Sequence, residues 1–187
     1  LKNLEFLYIE NSNISNISKL NNLSNLVLLN LYSCNIDTDK LLLSNCYKLE
    51  NFYFGFYNRT AENIAEKMVL DINKFDDLVN LKSFGLSNVF ISKKESFSNL
   101  NNIESLKYLK NNTKLKSISI TYGNLSDISD LKLFPDVETL ILPDNNITDI
   151  SVLTKLNNLK RVVFINNPII DYSVVDELKK REGIQIN

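Results

Sequence analysis

Side chains suited to chemistry are scarce in this sequence. It has no histidine, which removes the usual general base and the commonest transition-metal ligand. Two cysteines, Cys34 and Cys46, cannot by themselves build a structural zinc site. They are also too few for the disulfide framework of a small secreted domain, so free, buried thiols are expected. The acidic pairs Asp37/Asp39 and Asp76/Asp77 have the composition for proton transfer or calcium binding, but solvated turn and helix charges explain them better. With four glycines in all, neither a phosphate-cradling loop nor a serine nucleophile elbow is present. The sequence therefore predicts no catalytic residue, no metal and no cofactor, and the chain is not expected to be an enzyme.

Composition narrows the remaining classes. A 187-residue chain with 44% hydrophobic and 23% charged residues can bury a core and lies in the ordinary globular range. Its 21 Lys+Arg against 22 Asp+Glu give a net charge of −1, too little field to hold a phosphate backbone, so nucleic acid is not expected as a partner. No stretch reaches the roughly 18 apolar residues of a spanning helix. Leu1 opens directly into a repeating pattern, so a fragment of a longer protein is expected. Asn-x-Ser/Thr triplets such as Asn13-Ile14-Ser15 and Asn146-Ile147-Thr148 arise by chance among 29 asparagines and do not establish glycosylation.

What positions the remaining side chains is an internal repeat. Near the C-terminus Phe134, Val137, Leu140, Leu142, Asn145 and Ile147 set a spacing that returns 22 residues later as Leu156, Leu159, Val162, Phe164, Asn167 and Ile169. The same pattern runs backwards through Leu115, Ile118 and Ile120, then through Leu81, Phe84 and Leu86, then Leu49, Phe52 and Phe54. At the N-terminus it appears as Leu26, Leu29 and Leu31, and as Leu4, Leu7 and Ile9. Seven strand cores follow, centred near residues 7, 29, 52, 84, 118, 140 and 162. The last apolar residue of each strand is separated from the next by 22, 23, 32, 34, 22 and 22 residues, so two middle repeats are expanded. Back-side helices near 61–73, with Ile64, Met68 and Ile72 on one face, and near 98–110, with Ile103, Leu106 and Leu109, are expected to take up the extra length.

A single such unit cannot hide its apolar face, whereas stacked units bury a continuous core. After each strand an inward Asn amide would satisfy backbone groups at the turn. Asn145 and Asn167 fit that slot and Cys34 substitutes for it, whereas Ser12, Tyr57, Val89 and Gly123 should break the ladder. At the C-terminus, Asp171 or Ser173 is expected to cap a short helix that packs Val175 and Leu178 inward, carries basic residues in its last turn and ends at Gly183. The expected organisation is one domain with repeats near 1–22, 23–45, 46–77, 78–111, 112–133, 134–155 and 156–170, closed by a cap at 171–187.

The run Val137-Glu-Thr-Leu-Ile-Leu-Pro-Asp-Asn-Asn-Ile-Thr-Asp-Ile-Ser-Val-Leu153 resembles the 22-residue leucine-rich repeats of bacterial internalin-like proteins, and Leu115 to Leu131 is a looser copy. Phosphatase-regulatory repeat proteins inside eukaryotic cells share nearly the same unit. The resemblance implies an α/β solenoid, a right-handed arc whose concave face is a parallel β-sheet of about seven strands. It also implies a bacterial surface or secreted recognition or adhesion module that binds a protein through that face. The alternatives are a cytoplasmic scaffold or regulatory subunit, or the substrate-recognition part of a larger enzyme. The two long repeats and the irregular Asn slots depart from the family pattern.

The register predicts which side chains the concave face carries. Phe6, Tyr8, Leu28, Tyr32 and Tyr53, joined by Phe56, form an N-terminal aromatic zone, while Ile141, Val163 and Ile165 form a second apolar zone. Between them lie Ser83, Gly85, Ser87, Ser117, Ser119 and Thr121. Clustered exposed aromatics mark interfaces, so these nine apolar positions are the expected partner-binding residues. A protein ligand is favoured over a glycan stacked on Tyr8, Tyr32 and Tyr53; oligomeric state is not specified.

Overall fold

A computed structural model describes residues 1–56, 69–87, 90–92 and 106–187. The elements run β1 (Phe6–Tyr8), β2 (Asn13–Ile14), β3 (Leu28–Tyr32), β4 (Asn35–Ile36), β5 (Asn51–Gly55), β6 (Val69–Asp71), β7 (Ser83–Ser87) and β8 (Phe90–Ser92), then β9 (Ser117–Thr121), β10 (Thr139–Ile141), β11 (Arg161–Val163), α1 (Ser173–Leu178) and β12 (Gln185–Ile186). The alternation of apolar residues becomes one parallel sheet of 8 strands in the order β1-β3-β5-β7-β9-β10-β11-β12. Its first seven strands contain the seven expected centres. The eighth, β12, was not expected; it follows the C-terminal cap and pairs Ile186 with Val162.

Parallel pairing sets Leu7, Leu29, Phe52, Phe84, Ile118, Leu140 and Val162 side by side as one inward row. From Leu29 onward every member is buried, whereas Leu7 in the edge strand is only partly covered. In the middle repeats phenylalanine dominates the interior, with Phe52, Phe54, Phe75 and Phe84 all buried. Phe52 lies 4.7 Å from Phe75 and 5.9 Å from Phe84, and Phe75 meets Phe84 edge-on at 5.1 Å between ring centroids. These are favourable aromatic geometries.

The return segments are short 3₁₀ turns at Ile17–Asn22, Thr38–Lys40, Ser129–Leu133 and Ser151–Lys155. Rising about 2.0 Å per residue against about 1.5 Å for an α-helix, they span the back of a 22-residue repeat with few residues. The helices expected at 61–73 and 98–110 lie largely outside the described residues, at 57–68 and 93–105. Where those spans are described the expectation is corrected: Val69–Asp71 is a strand pairing in parallel with Phe90–Ser92, while Ile72–Phe75 and Leu106–Leu109 are 3₁₀ turns. Among the described residues α-helix is confined to Ser173–Leu178.

The amide slot behaves as its chemistry requires. Asn145 Nδ2 donates to the carbonyls of Ile120 (2.7 Å), Leu142 (3.1 Å) and Pro143 (3.0 Å), and its Oδ1 accepts from the Leu125 N–H at 3.2 Å. Asn167 repeats the pattern one unit later, donating to Leu142 and Phe164 and accepting from Ile147. Cys34 replaces the amide with a thiol that donates to the Ile9 carbonyl at 3.2 Å. Gly123 leaves the slot empty, and the next residue, Asn124, is buried with an Oδ1 that has no hydrogen-bond partner. Tyr57 and Val89 lie outside the described residues.

At the C-terminus Asp171 accepts from the Ser173 N–H at 2.8 Å and from its hydroxyl at 2.9 Å, and Leu178 is buried. The helix ends at Leu178, earlier than expected, so its basic residues follow it. Arg181 bonds the carbonyls of Leu156 and Thr154, sealing the preceding repeat, and Gly183 at φ +77° turns the chain into β12.

Candidate functional site

On the exposed side of the sheet, the register sorts side chains into three columns. Phe6, Leu28, Asn51, Ser83, Ser117, Thr139 and Arg161 face one another in the first. Tyr8, Asn30, Tyr53, Gly85, Ser119, Ile141 and Val163 form the second. In the third, Tyr32, Gly55, Ser87 and Thr121 are paired partners. Because neighbouring strands lie about 4.8 Å apart, the aromatic zone spans β1, β3 and β5, with Asn30 between Tyr8 and Tyr53 in the second column. Phe6 and Tyr8 are 56% and 61% exposed, while Leu28, Tyr32 and Tyr53 are half-buried on the same face. In the second zone Ile165 is exposed and Ile141 and Val163 are half-buried.

One expected contact residue is elsewhere. Phe56 is buried and packs against Phe54 at 6.1 Å, because the chain leaves β5 through Gly55 and turns inward. It belongs to the core, and the aromatic zone is Phe6, Tyr8, Leu28, Tyr32 and Tyr53.

The turn after the strand adds a residue that the sequence reading missed. Asn11, Ser33, Asp144 and Asn166 occupy this slot with φ between 51° and 59°, a left-handed conformation that short polar side chains tolerate best. In the fifth repeat the slot holds Tyr122, at φ 52° and 55% exposed. Its place in the repeat was the available signal, because an aromatic there is costly and does not serve the core.

Charges gather beside the sheet rather than on it. At the strand entrances Lys82 pairs with Glu50 at 2.8 Å, and Glu138 is shared between Lys116 at 3.1 Å and Lys160 at 2.6 Å. Hydrogen bonds from Lys160 and Lys116 hold the Glu138 carboxyl below its usual range. Of the residues in the three columns only Arg161 is charged, with Glu10 just beyond β1 at the opposite end, and hydroxyls, amides, glycines and apolar groups lie between.

Of the residues weighed for chemistry, Asp37 and the two cysteines serve structure. Asp37 accepts from the Asp39 N–H at 3.1 Å and pairs with Lys40 at 2.9 Å, which lowers its pKa. Asp127, Asp149 and Asp171 accept from the N–H groups of Ser129, Ser151 and Ser173 in the same way. Burial raises the pKa of Asp76, whose Oδ1 has no hydrogen-bond partner. Both thiols are free and buried; desolvation pushes Cys46 up to about 11, which suppresses the reactive thiolate. Among the described residues no group of three His, Cys, Asp or Glu is gathered around a common point, and no helix is long and apolar enough to cross a membrane.

Comparison with solved structures defines the fold class. Internalin C2 of Listeria monocytogenes is similar with a TM-score of 0.60 at 22% identity, covering 97% of this chain and 80% of that one. A leucine-rich-repeat protein of Leptospira interrogans matches with a TM-score of 0.61 at 17% identity over 90% of this chain, which spans 38% of that protein. The ectodomain of the Arabidopsis thaliana receptor kinase GASSHO1/SCHENGEN3, solved with Casparian strip integrity factor 2, matches with a TM-score of 0.59 at 17% identity, covering 98% of this chain and 20% of that one. The fold is that of a leucine-rich-repeat solenoid, shared with these internalin and receptor structures. No protein-family model matches the sequence, and no curated protein matches it.

Proposed function

We propose that the chain is a protein-binding module whose concave sheet docks its partner, with Phe6, Tyr8, Leu28, Tyr32 and Tyr53 as the main anchors and Ile141, Val163 and Ile165 as a second contact. The observation that carries this reading is the aromatic zone itself: five large side chains brought together by strand register on a face that no described element covers. A few partly buried aromatics usually supply most of an interface's energy. An extracellular or surface-displayed bacterial recognition role is the setting we assign. Its support is the likeness to Listeria internalins and to a receptor ectodomain solved with its own partner.

The combined change Tyr8→Ala, Tyr32→Ala and Tyr53→Ala should weaken partner binding by at least about tenfold, or about 1.4 kcal/mol, while unfolding stays cooperative. With so few charges on the columns, affinity should change little between low and physiological salt. Normal binding by the triple variant would overturn the assignment.

A further inference from the structure

We propose that Gly85 is a positioning residue of the concave site: it holds the Tyr53 ring down on the fourth strand, and the place so formed receives an uncharged loop of a protein partner. This rests on the concave-face reading and adds to it which residue shapes the anchor and what chemistry fits beside it.

Tyr53 and Gly85 are directly paired across β5 and β7. A Cβ built on Gly85 would lie 2.5 Å from Tyr53 Cδ1 and 3.1 Å from Cε1, so the ring edge occupies the space that any other side chain would fill. The backbone gives no other reason for glycine here. Gly55 needs it, with φ +154° and a Cβ position 2.1 Å from the Ser87 carbonyl oxygen, whereas Gly85 has neither a left-handed φ nor a close backbone neighbour. Glycine inside a strand weakens the strand, and the compensation visible here is a tyrosine set in place before any ligand arrives. A ring already held loses less freedom on binding.

The surroundings set the partner's chemistry. Beyond the ring lie Ser83, Ser117 and Ser119, hydroxyls that both donate and accept, and next to them Ser87 and Thr121, whose protons are already given to the Phe56 carbonyl and to Ser87 and which therefore offer mainly acceptors. Among the described residues Glu10 and Arg161 stand at opposite ends of the face, and the charges bordering the belt, Lys82 and Lys116, are paired with Glu50 and Glu138. Backbone amides and carbonyls of an uncharged loop meet their complement in that belt, whereas the described charges beside it are already paired with one another.

The test has a spectroscopic arm and a binding arm. In protein labelled with 3-fluorotyrosine, the Tyr53 fluorine resonance is assigned by Tyr53→Phe, and Gly85→Ala should shift it and leave the other tyrosines near their places. Cooperative folding should persist, since the added methyl meets a movable side chain. An unmoved Tyr53 resonance overturns the proposal.

For binding, the probe is a phage-displayed library of random linear peptides selected on the intact chain. Enriched peptides should carry few charges, and Gly85→Ala and Tyr53→Ala should each weaken them by about tenfold. In a Tyr53→Ala background the Gly85→Ala effect should vanish, because no ring is left to displace. Additive losses, strongly charged peptides, or a selection that yields no concave-face binder would overturn the proposal. Peptides that lose affinity in the triple tyrosine variant but not in Gly85→Ala would refute this inference and leave the concave-face reading standing. Peptides indifferent to the triple variant would refute that reading as well.

Discussion

Removing the Asn145 amide should expose how much the turns between repeats depend on one side chain. Its Nδ2 lies 2.7 Å from the Ile120 oxygen and 3.1 Å from that of Leu142, and its Oδ1 lies 3.2 Å from the Leu125 nitrogen. In Asn145→Ala the Leu125 N–H and the Ile120 carbonyl both lose this partner in a place too buried for easy rehydration. A buried polar group left unsatisfied costs about 1–3 kcal/mol. Two such groups, partly relieved by relaxation, put the loss at about 2–4 kcal/mol. Guanidinium denaturation measures it, with Asn146→Ala as the control, since the neighbouring side chain is exposed and should change stability by less than about 0.5 kcal/mol. Hydrogen exchange supplies a local readout: the Leu125 amide should lose protection in Asn145→Ala. Equal stability losses for Asn145→Ala and Asn146→Ala, or an unchanged Leu125 amide, would refute the reasoning.

Other expectations concern the core, the backbone and the charges. Leu140→Ala removes a fully buried side chain and should cost about 2–5 kcal/mol, whereas Tyr32→Ala on the concave face should cost far less; equal losses would mean that the inward and outward rows are exchanged. Gly55→Ala forces a Cβ against the Ser87 backbone and should lower the melting temperature clearly more than Gly85→Ala, a comparison that thermal unfolding settles. The carboxyl of Glu138 is held below its usual range by Lys160 and Lys116, so its stabilising effect should be present above the ordinary glutamate range and be lost as pH falls through the lowered value. Glu138→Gln should flatten that part of the stability curve, and an unaltered curve would show that the pairs contribute nothing.

The repeat was legible because its apolar spacing recurs, and the same spacing placed Asn145 and Asn167 before any coordinates. What escaped the reading is what periodicity does not encode. Val69–Asp71 pairs with Phe90–Ser92 through contacts between two insertions, and Met68 and Ile72 suggested a helical face instead. Asn112, fully buried and donating to the carbonyls of Phe75 and Leu78, sits in a slot that holds Leu23, Leu78 and Leu156 in other repeats, so an amide there went unremarked. β12 follows the cap with no repeat of its own to announce it. Phe56 was assigned outward because it stands beside an aromatic strand, yet the turn at Gly55 carries it into the core. The Tyr53–Gly85 contact was readable in principle, since the repeat spacing makes the two residues partners.

The most direct measurement is a site-specific photo-crosslink. A photoreactive amino acid placed at Tyr32, on the concave face, or at Lys155, exposed on a return segment, would be irradiated in extract from the source cell or a candidate host. Position 32 should give a protein adduct that fades when Tyr8 and Tyr53 are changed to alanine, and position 155 should give none. An adduct from position 155 alone would contradict the concave-face assignment.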